Sequence, residues 1–220
     1  MTRQTATLTW TRTDHGTVPV STRFDDPYYA LGGGLAETRH VFLAGNDLPA
    51  RFRDGFHVAE LGFGTGLNLL ATLAAFRAHG TPGRLQYTSF ELYPMERADR
   101  ARALAPFAGL DAGLLDREDV TRIDTPDLSF RLIVGDARKT LPAWDGRADA
   151  WFLDGFSPAK NPELWEPPLL RAVAARTAPG GTFATYTAAG NVRRALAEAG
   201  FAVTRVPGFG TKRHMSVGSL

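Results

Sequence analysis

The chain has 220 residues, no cysteine and a formal net charge of +2. That length suits one domain with a full-sized core, and the missing cysteine excludes disulfides and thiolate metal sites. His15, His40, His57, His79 and His214 lack ligand spacing, so no metal is expected; no apolar run suits a transmembrane helix or a secretory signal, so a soluble cytoplasmic protein is.

Residues 7–24 read as a β hairpin outside the main sheet, with Thr7-Leu8-Thr9-Trp10-Thr11 alternating, Asp14-His15-Gly16 turning and Val18-Pro19-Val20 returning. Phe24-Asp25-Asp26-Pro27-Tyr28-Tyr29 and Gly32-Gly33-Gly34 form a loop, whose triple glycine suits a mobile connector or a lid over a ligand. Residues 35–43 look helical, ended by Ala44-Gly45-Asn46-Asp47. Residues 1–50 are thus an N-terminal extension, and 51–220 a Rossmann-like core, within one domain.

The core opens with a strand from His57 into a glycine loop, followed by a helix over 67–79 that Gly80-Thr81-Pro82-Gly83 stops. A strand over 85–90 ends at Glu91, and a charged amphipathic helix follows over 95–104. Residues 109–128 are polar and irregular, with room for a short helix. Strands over 130–134 and 148–153 lead into Gly135-Asp136 and Asp154-Gly155-Phe156. A helix over 167–176 is closed by Pro179-Gly180-Gly181, before a strand over 182–186 and a helix over 191–199 capped by Gly200. Strands over 201–206 and 215–220 follow each other without a crossover helix, so they should pair antiparallel. Strands alternating with helices predict a doubly wound α/β sheet.

The glycine loop reads Glu60-Leu61-Gly62-Phe63-Gly64-Thr65-Gly66-Leu67-Asn68. Glycines let the backbone approach a ligand with no Cβ in the way. The spacing is G-x-G-x-G; a dinucleotide fingerprint would need a third glycine where Leu67 stands. Glu60 beside the loop repels a diphosphate and suits a cation. S-adenosylmethionine (SAM), with its ammonium and sulfonium, is such a ligand, and the loop resembles the first motif of the class I SAM-dependent methyltransferases. Their seven-stranded sheet with the last strand antiparallel matches the element order.

In open α/β sheets ligands bind beyond the carboxyl ends of the strands. Glu91 stands where a ribose-binding acid belongs, and Asp136 where an acid can accept the adenine amine. Each also reads as a strand-end cap. Asp154, Gly155 and Phe156 are the candidate catalytic lip: the carboxylate and nearby carbonyls hold an amine's hydrogens, and the aromatic ring stacks on a planar base. The same stretch also reads as a Pro- and Gly-rich turn into a helix.

Asp154-Gly155-Phe156-Ser157-Pro158-Ala159-Lys160-Asn161-Pro162 resembles the signature of the methyltransferase domain that finishes the wobble uridine of certain bacterial tRNAs. Further matches run along nearly the whole chain. They include Gly34 to Arg39, Glu60 to Asn68, Ser89-Phe90-Glu91, Val192-Arg193-Arg194, Gly208-Phe209-Gly210, Lys212-Arg213 and Met215. The resemblance implies SAM-dependent methylation of 5-aminomethyl-2-thiouridine at tRNA position 34. It implies SAM contacts from Glu60, Gly62, Gly64, Gly66, Asn68, Glu91, Asp136 and Asp154. In many bacteria this domain is fused to a flavin-dependent oxidase that supplies the aminomethyl group. No second dinucleotide fold follows Leu220, so FAD is not expected, and a separate enzyme is expected to supply that group.

The tRNA anticodon stem-loop needs a phosphate-binding surface. Arg138-Lys139, Lys160, Arg193-Arg194 and Lys212-Arg213 follow strand ends or open a helix near the active face, which suits a basic rim as well as an ordinary solvated surface. Rival readings are a SAM enzyme for a small or protein amine, a nicotinamide dehydrogenase, and a non-enzymatic SAM- or tRNA-binding module.

Overall fold

The structure, a computed structural model, describes residues 4–13, 16–30 and 33–220. The turn expected at Asp14-His15 and the first glycine of the triplet, Gly32, lie outside the described residues. Strands β1 (Leu8–Thr13), β2 (Gly16–Ser21) and β3 (Asp26–Pro27) form a three-stranded antiparallel sheet, separate from the main one as expected. Helix α1 (Gly34–Thr38) continues into a wider π-helical turn over Arg39–Leu43.

The main sheet contains β4 (His57–Leu61), β5 (Leu85–Glu91), β6 (Arg122–Asp124), β7 (Leu128–Val134), β8 (Ala148–Leu153), β9 (Thr177–Thr185), β10 (Ala202–Pro207) and β11 (His214–Ser219). Their order is β10-β11-β9-β8-β4-β5-β7-β6. The five central strands run parallel, while β11 is antiparallel to both β9 and β10. The expected seven strands are present. The eighth, β6, lies in the polar stretch read as irregular; it is three residues long and pairs antiparallel with β7 at the edge.

The helices are α2 (Leu67–His79), α3 (Arg97–Leu104), α4 (Ala137–Ala143), α5 (Pro167–Ala175) and α6 (Gly190–Glu198). Two sequence readings are corrected. Helix α4 was not anticipated; its Pro142 and seven-residue length mask the periodicity. Pro179-Gly180-Gly181 does not close α5 but lies inside β9, at a register irregularity against β8. Proline and glycine are tolerated in a strand at such an irregularity.

Successive side chains alternate across the sheet. Val58, Ala150 and Phe152 join the core cluster on the α2 face, which also holds Leu69, Leu70 and Leu73. Ala59, Leu61, Trp151 and Leu153 join the opposite cluster, with Leu170 of α5 and Leu196 of α6. Each fully buried Leu contributes about 1.5–3 kcal/mol by leaving water. The same alternation turns Glu60, Ser89 and Asp154 toward the α2 face, where the first turn of α2 presents Asn68.

Candidate active site

A cavity of about 760 Å³ opens at the carboxyl ends of the parallel strands. Its floor is the glycine loop after β4, Glu91 after β5, Asp136 after β7 and Asp154 after β8. Its cover is the segment carrying Phe24, Tyr28 and Glu37, together with the β10–β11 loop that carries Lys212.

The floor is locked by backbone. The Gly62 amide donates to the Phe90 carbonyl at 2.9 Å, and the Asp154 amide to the Leu61 carbonyl at 3.0 Å. Gly62 adopts φ +90°, and a Cβ there would lie 2.3 Å from the Asp154 carbonyl oxygen. Only glycine admits both that conformation and that approach. Gly64 also lines the cavity; Gly66 does not. The missing Cβ of Gly66 instead makes room for Leu115 and Phe63, at 2.5 and 2.9 Å, as α2 begins.

Glu60 is completely buried beneath the cavity and is not on its surface. Its Oε1 accepts from Asn68 Nδ2 at 2.9 Å and its Oε2 from Ser89 Oγ at 2.7 Å. Asn68 Nδ2 also donates to Asp154 Oδ2 at 2.6 Å, while Asn68 Oδ1 accepts from Thr38 Oγ1 at 2.8 Å. Thr38 thereby sets the orientation of the amide. Both amide hydrogens are committed to carboxylates, so Asn68 spans Glu60 and Asp154 and has no donor left for a ligand. Burial pushes Glu60 up to about 8, with the nearby Asp154 charge adding to it. Burial and the Glu37 charge push Asp154 up to about 7, against the Asn68 hydrogen bond and the Lys212 charge.

Among the described residues, Asp154 Oδ1 accepts no hydrogen bond, and Asp154 lines the cavity. Gly155 is buried; a Cβ there would meet Leu164 at 2.7 Å. The Gly155 carbonyl accepts from Tyr186 Oη at 2.7 Å, and the Phe156 carbonyl from Trp165 Nε1 at 2.8 Å. These bonds hold the lip rigid. The Phe156 ring stacks on Phe24, with centroids 4.9 Å apart, and meets Tyr28 edge-on at 5.0 Å.

Glu91 accepts from the Gly64 amide at 3.1 Å and the Tyr93 amide at 2.8 Å, each on a different oxygen. Burial raises its pKa, and these donors oppose the rise. Asp136 caps α4 through the Arg138 amide at 3.0 Å, and Arg138 Nη2 reaches its Oδ2 at 2.8 Å. The guanidinium holds the Asp136 carboxyl below its ordinary range.

The basic residues divide. Lys212 pairs with the buried Glu37 at 2.8 Å and lies 4.0 Å over the Tyr186 ring. Lys160 is held by the Asp25 carbonyl and by the Asp25 and Asp26 carboxylates at 3.3 and 3.6 Å. Arg138 is committed to Asp136 and Glu166. Arg193 Nε donates to the Ala188 carbonyl. Among the described residues, Lys139, Arg194 and Arg213 have no carboxylate partner, and Arg194 and Arg213 are exposed. A rim of all seven cations is therefore reduced by internal pairing. The sequence reading assigned no site role to Tyr28, Glu37, Thr38 or Tyr186. The one available signal was Tyr186, which follows a parallel strand at its carboxyl end; the others come from the extension and meet the core only in three dimensions.

Residues 111–220 match a family model described as S-adenosyl-L-methionine-dependent methyltransferase. The chain is 50% identical over 214 residues to the tRNA 5-methylaminomethyl-2-thiouridine biosynthesis bifunctional protein MnmC of Caulobacter sp. (strain K31), covering 89% of this chain and 36% of that protein. It is 46% identical over 228 residues to the protein of the same name from Chromohalobacter salexigens, covering 97% of this chain and 33% of that protein. The chain spans about a third of the length of these curated relatives. The crystal structure of MNMC2 from Aquifex aeolicus superposes with a TM-score of 0.80 at 27% identity, over 98% of this chain and 71% of that one. Spermidine synthase from Thermotoga maritima shares the fold alone, with a TM-score of 0.62 at 12% identity over 98% of this chain and 69% of that one.

Proposed function

The chain belongs to the S-adenosyl-L-methionine-dependent methyltransferase family, and from that premise we propose that it N-methylates the 5-aminomethyl group of wobble uridine 34 in tRNA. The names of the curated relatives support the RNA substrate, and the acidic lip supports an amine acceptor. The observation that carries the reading is Asp154, a half-buried carboxyl that lines the cavity, with one oxygen anchored by Asn68 and the other accepting no hydrogen bond among the described residues.

The cavity fits a cationic methyl donor. Among the described residues six carboxylates line it (Asp26, Glu37, Glu91, Asp136, Asp154 and Glu163) against three cations (Arg23, Arg138 and Lys212). That excess repels a diphosphate and attracts an ammonium or a sulfonium. Gly62 and Gly64 line the floor, and Glu91 keeps acceptor capacity on both oxygens for a ribose diol. Asp136 keeps less, because Arg138 occupies it. When bound, SAM supplies an electrophilic methyl carbon.

The chain's own residues ready the nucleophile. An alkyl ammonium has a reference pKa of about 10.4 and no lone pair while protonated. Asp154 in its carboxylate form binds and orients the ammonium and accepts its proton. Its raised pKa makes it a stronger base than an ordinary aspartate. Asn68 keeps Asp154 Oδ2 fixed, so Oδ1 faces the amine. Phe156, backed by Phe24 and Tyr28, supplies a flat wall for the pyrimidine. Exposed Arg194 and Arg213 are cations free of carboxylate partners among the described residues and serve RNA phosphates, in a cytoplasmic setting where another enzyme supplies the aminomethyl group.

Mass spectrometry of wobble nucleosides, after incubation with SAM and aminomethyl-bearing tRNA, tests this. Conversion to the 5-methylaminomethyl nucleoside is expected. Methylation of free amines or proteins, with tRNA untouched, would replace this reading with the small-amine one.

A further inference from the structure

A second cavity of about 340 Å³ lies beside the first. Phe24, Tyr28, Tyr93 and Phe156 line both, so these rings form a partition between them, and the Glu91 carboxylate also lines both, tied to the Gly64 and Tyr93 amides. Asp154 lines the first cavity and not the second. The far side of the second cavity is the start of the chain, fixed by the Ala6 amide donating to the Pro94 carbonyl at 3.1 Å and by Thr22 donating to the Thr7 carbonyl at 3.0 Å. Tyr93 faces it, with its ring 6.2 Å from that of Phe24.

Arg23 stands where the two cavities meet. It is exposed, and its guanidinium carbon lies 4.6 Å from the Tyr93 ring centroid. Unlike Lys160, Lys212 and Arg138, it has no carboxylate partner among the described residues. The combination is a set of π faces beside one planar cation that lies over Tyr93 and has no carboxylate partner among the described residues. Single-stranded RNA is held in this way, with bases stacked on aromatic rings and arginine on the phosphates. The volume is at the lower end for small-ligand pockets of roughly 300–1,000 Å³, enough for one base and its sugar.

We propose that the second cavity seats the nucleobase adjacent to the one being methylated, stacked on Tyr93 and Phe24, with Arg23 on the intervening phosphate. This inference rests on the RNA substrate proposed above. The reacting nucleotide must present its amine to Asp154 in the first cavity. Its neighbour along the strand then falls on the other side of the Phe156 partition, and the sugar–phosphate link crosses at Arg23. The second cavity thus reads the presence of a flanking base, which excludes a free nucleoside.

The test uses anticodon stem-loop RNAs with 5-aminomethyluridine at position 34, intact or abasic at position 33 or 35. Binding is measured by anisotropy and methyl transfer under single turnover, for the parent, Tyr93→Ala, Tyr93→Phe and Arg23→Gln, each checked for native circular dichroism. One abasic site is expected to weaken parent binding by about tenfold, within the range of a stacked base. Tyr93→Ala should lose about as much on intact RNA and lose nothing further on the abasic RNA. Tyr93→Phe should restore the parent behaviour. Arg23→Gln should flatten the salt dependence of log K by roughly 0.7, one single-strand phosphate. Binding within twofold of intact for both abasic RNAs, or a full second loss in Tyr93→Ala, overturns the proposal. If the parent neither binds nor methylates the intact RNA, the substrate reading fails and this inference fails with it.

Discussion

The floor and the cover of the main cavity are built differently. The floor is backbone: the Gly62 and Asp154 amides bond directly to Phe90 and Leu61, and Glu91 ties the Gly64 amide. The cover is side chains: the Phe24–Phe156 stack, the Glu37–Lys212 pair and the hold of Asp25 and Asp26 on Lys160. A floor set by sheet register cannot relax without breaking ladder bonds. A cover set by ring contacts and partly exposed ion pairs can part and reseat at small cost. Fixed acids under a releasable cover suit the RNA substrate proposed above.

Glycine substitutions break the comparison most sharply. Gly62→Ala forces a Cβ against the Asp154 carbonyl at φ +90° and should cost about 3 kcal/mol or more in a urea titration. Gly64→Ala, whose Cβ would lie 3.1 Å from the movable Tyr28 ring at φ +52°, should cost only about 1 kcal/mol. Equal losses would mean that floor and cover are equally rigid.

Asp154→Asn keeps the shape of the floor and removes the proposed base. Single-turnover methyl transfer at saturating SAM and tRNA should fall roughly a hundredfold or more. Transfer at near the parent rate would reduce Asp154 to a strand-end cap.

The buried acids also predict a pH dependence of stability. Asp154 and Glu60 have folded pKa values of about 7 and 8, above their ordinary 3.8 and 4.5. The folded chain therefore binds more protons than the unfolded one, and stability falls as pH rises through that range. His57, which burial lowers from 6.5 to about 4, acts oppositely below pH 6.5. The loss from the acids should thus stand out between about pH 6.5 and 8, on the order of 1–2 kcal/mol. Urea midpoints of the ligand-free protein measure it, and Asp154→Asn should flatten the slope.

The smallest effect belongs to the cover. Lys212→Met removes an ion pair whose lysine is 43% exposed and whose Glu37 is 11% exposed, so about 1 kcal/mol of stability is at stake, mostly from leaving Glu37 unpaired. Because the Lys212 charge lowers the Asp154 pKa, the same variant should move the rising limb of the methyl-transfer pH profile to higher pH. A profile that does not move would uncouple the cover from the base.

Much of the floor was legible because it is local. A glycine loop between an apolar strand and an apolar helix announces itself, and the observed Leu67–His79 helix has the expected ends. Glu91 and Asp154 were found by the rule that ligands meet parallel strands at their carboxyl ends. Helix α4 and strand β6 were missed because seven and three residues carry too little periodicity against a proline and a polar background. The basic rim was over-counted, since adjacency in sequence says nothing about the carboxylates that Arg138, Lys160 and Lys212 meet across the fold.

Sequence alone determined the doubly wound sheet and its antiparallel end, because hydrophobic period and connection length act over a few residues. It also placed the acids at the strand ends. Only the tertiary structure decided which of them reach the cavity. Strand alternation and register bring Glu60, Ser89 and Asp154 to one face, and Asn68 meets two of them from a helix eight residues past Glu60 and 86 before Asp154. Burial then separates an acid that touches the cavity from one that supports it, and desolvation is a property of the packed molecule that no short stretch of chain encodes.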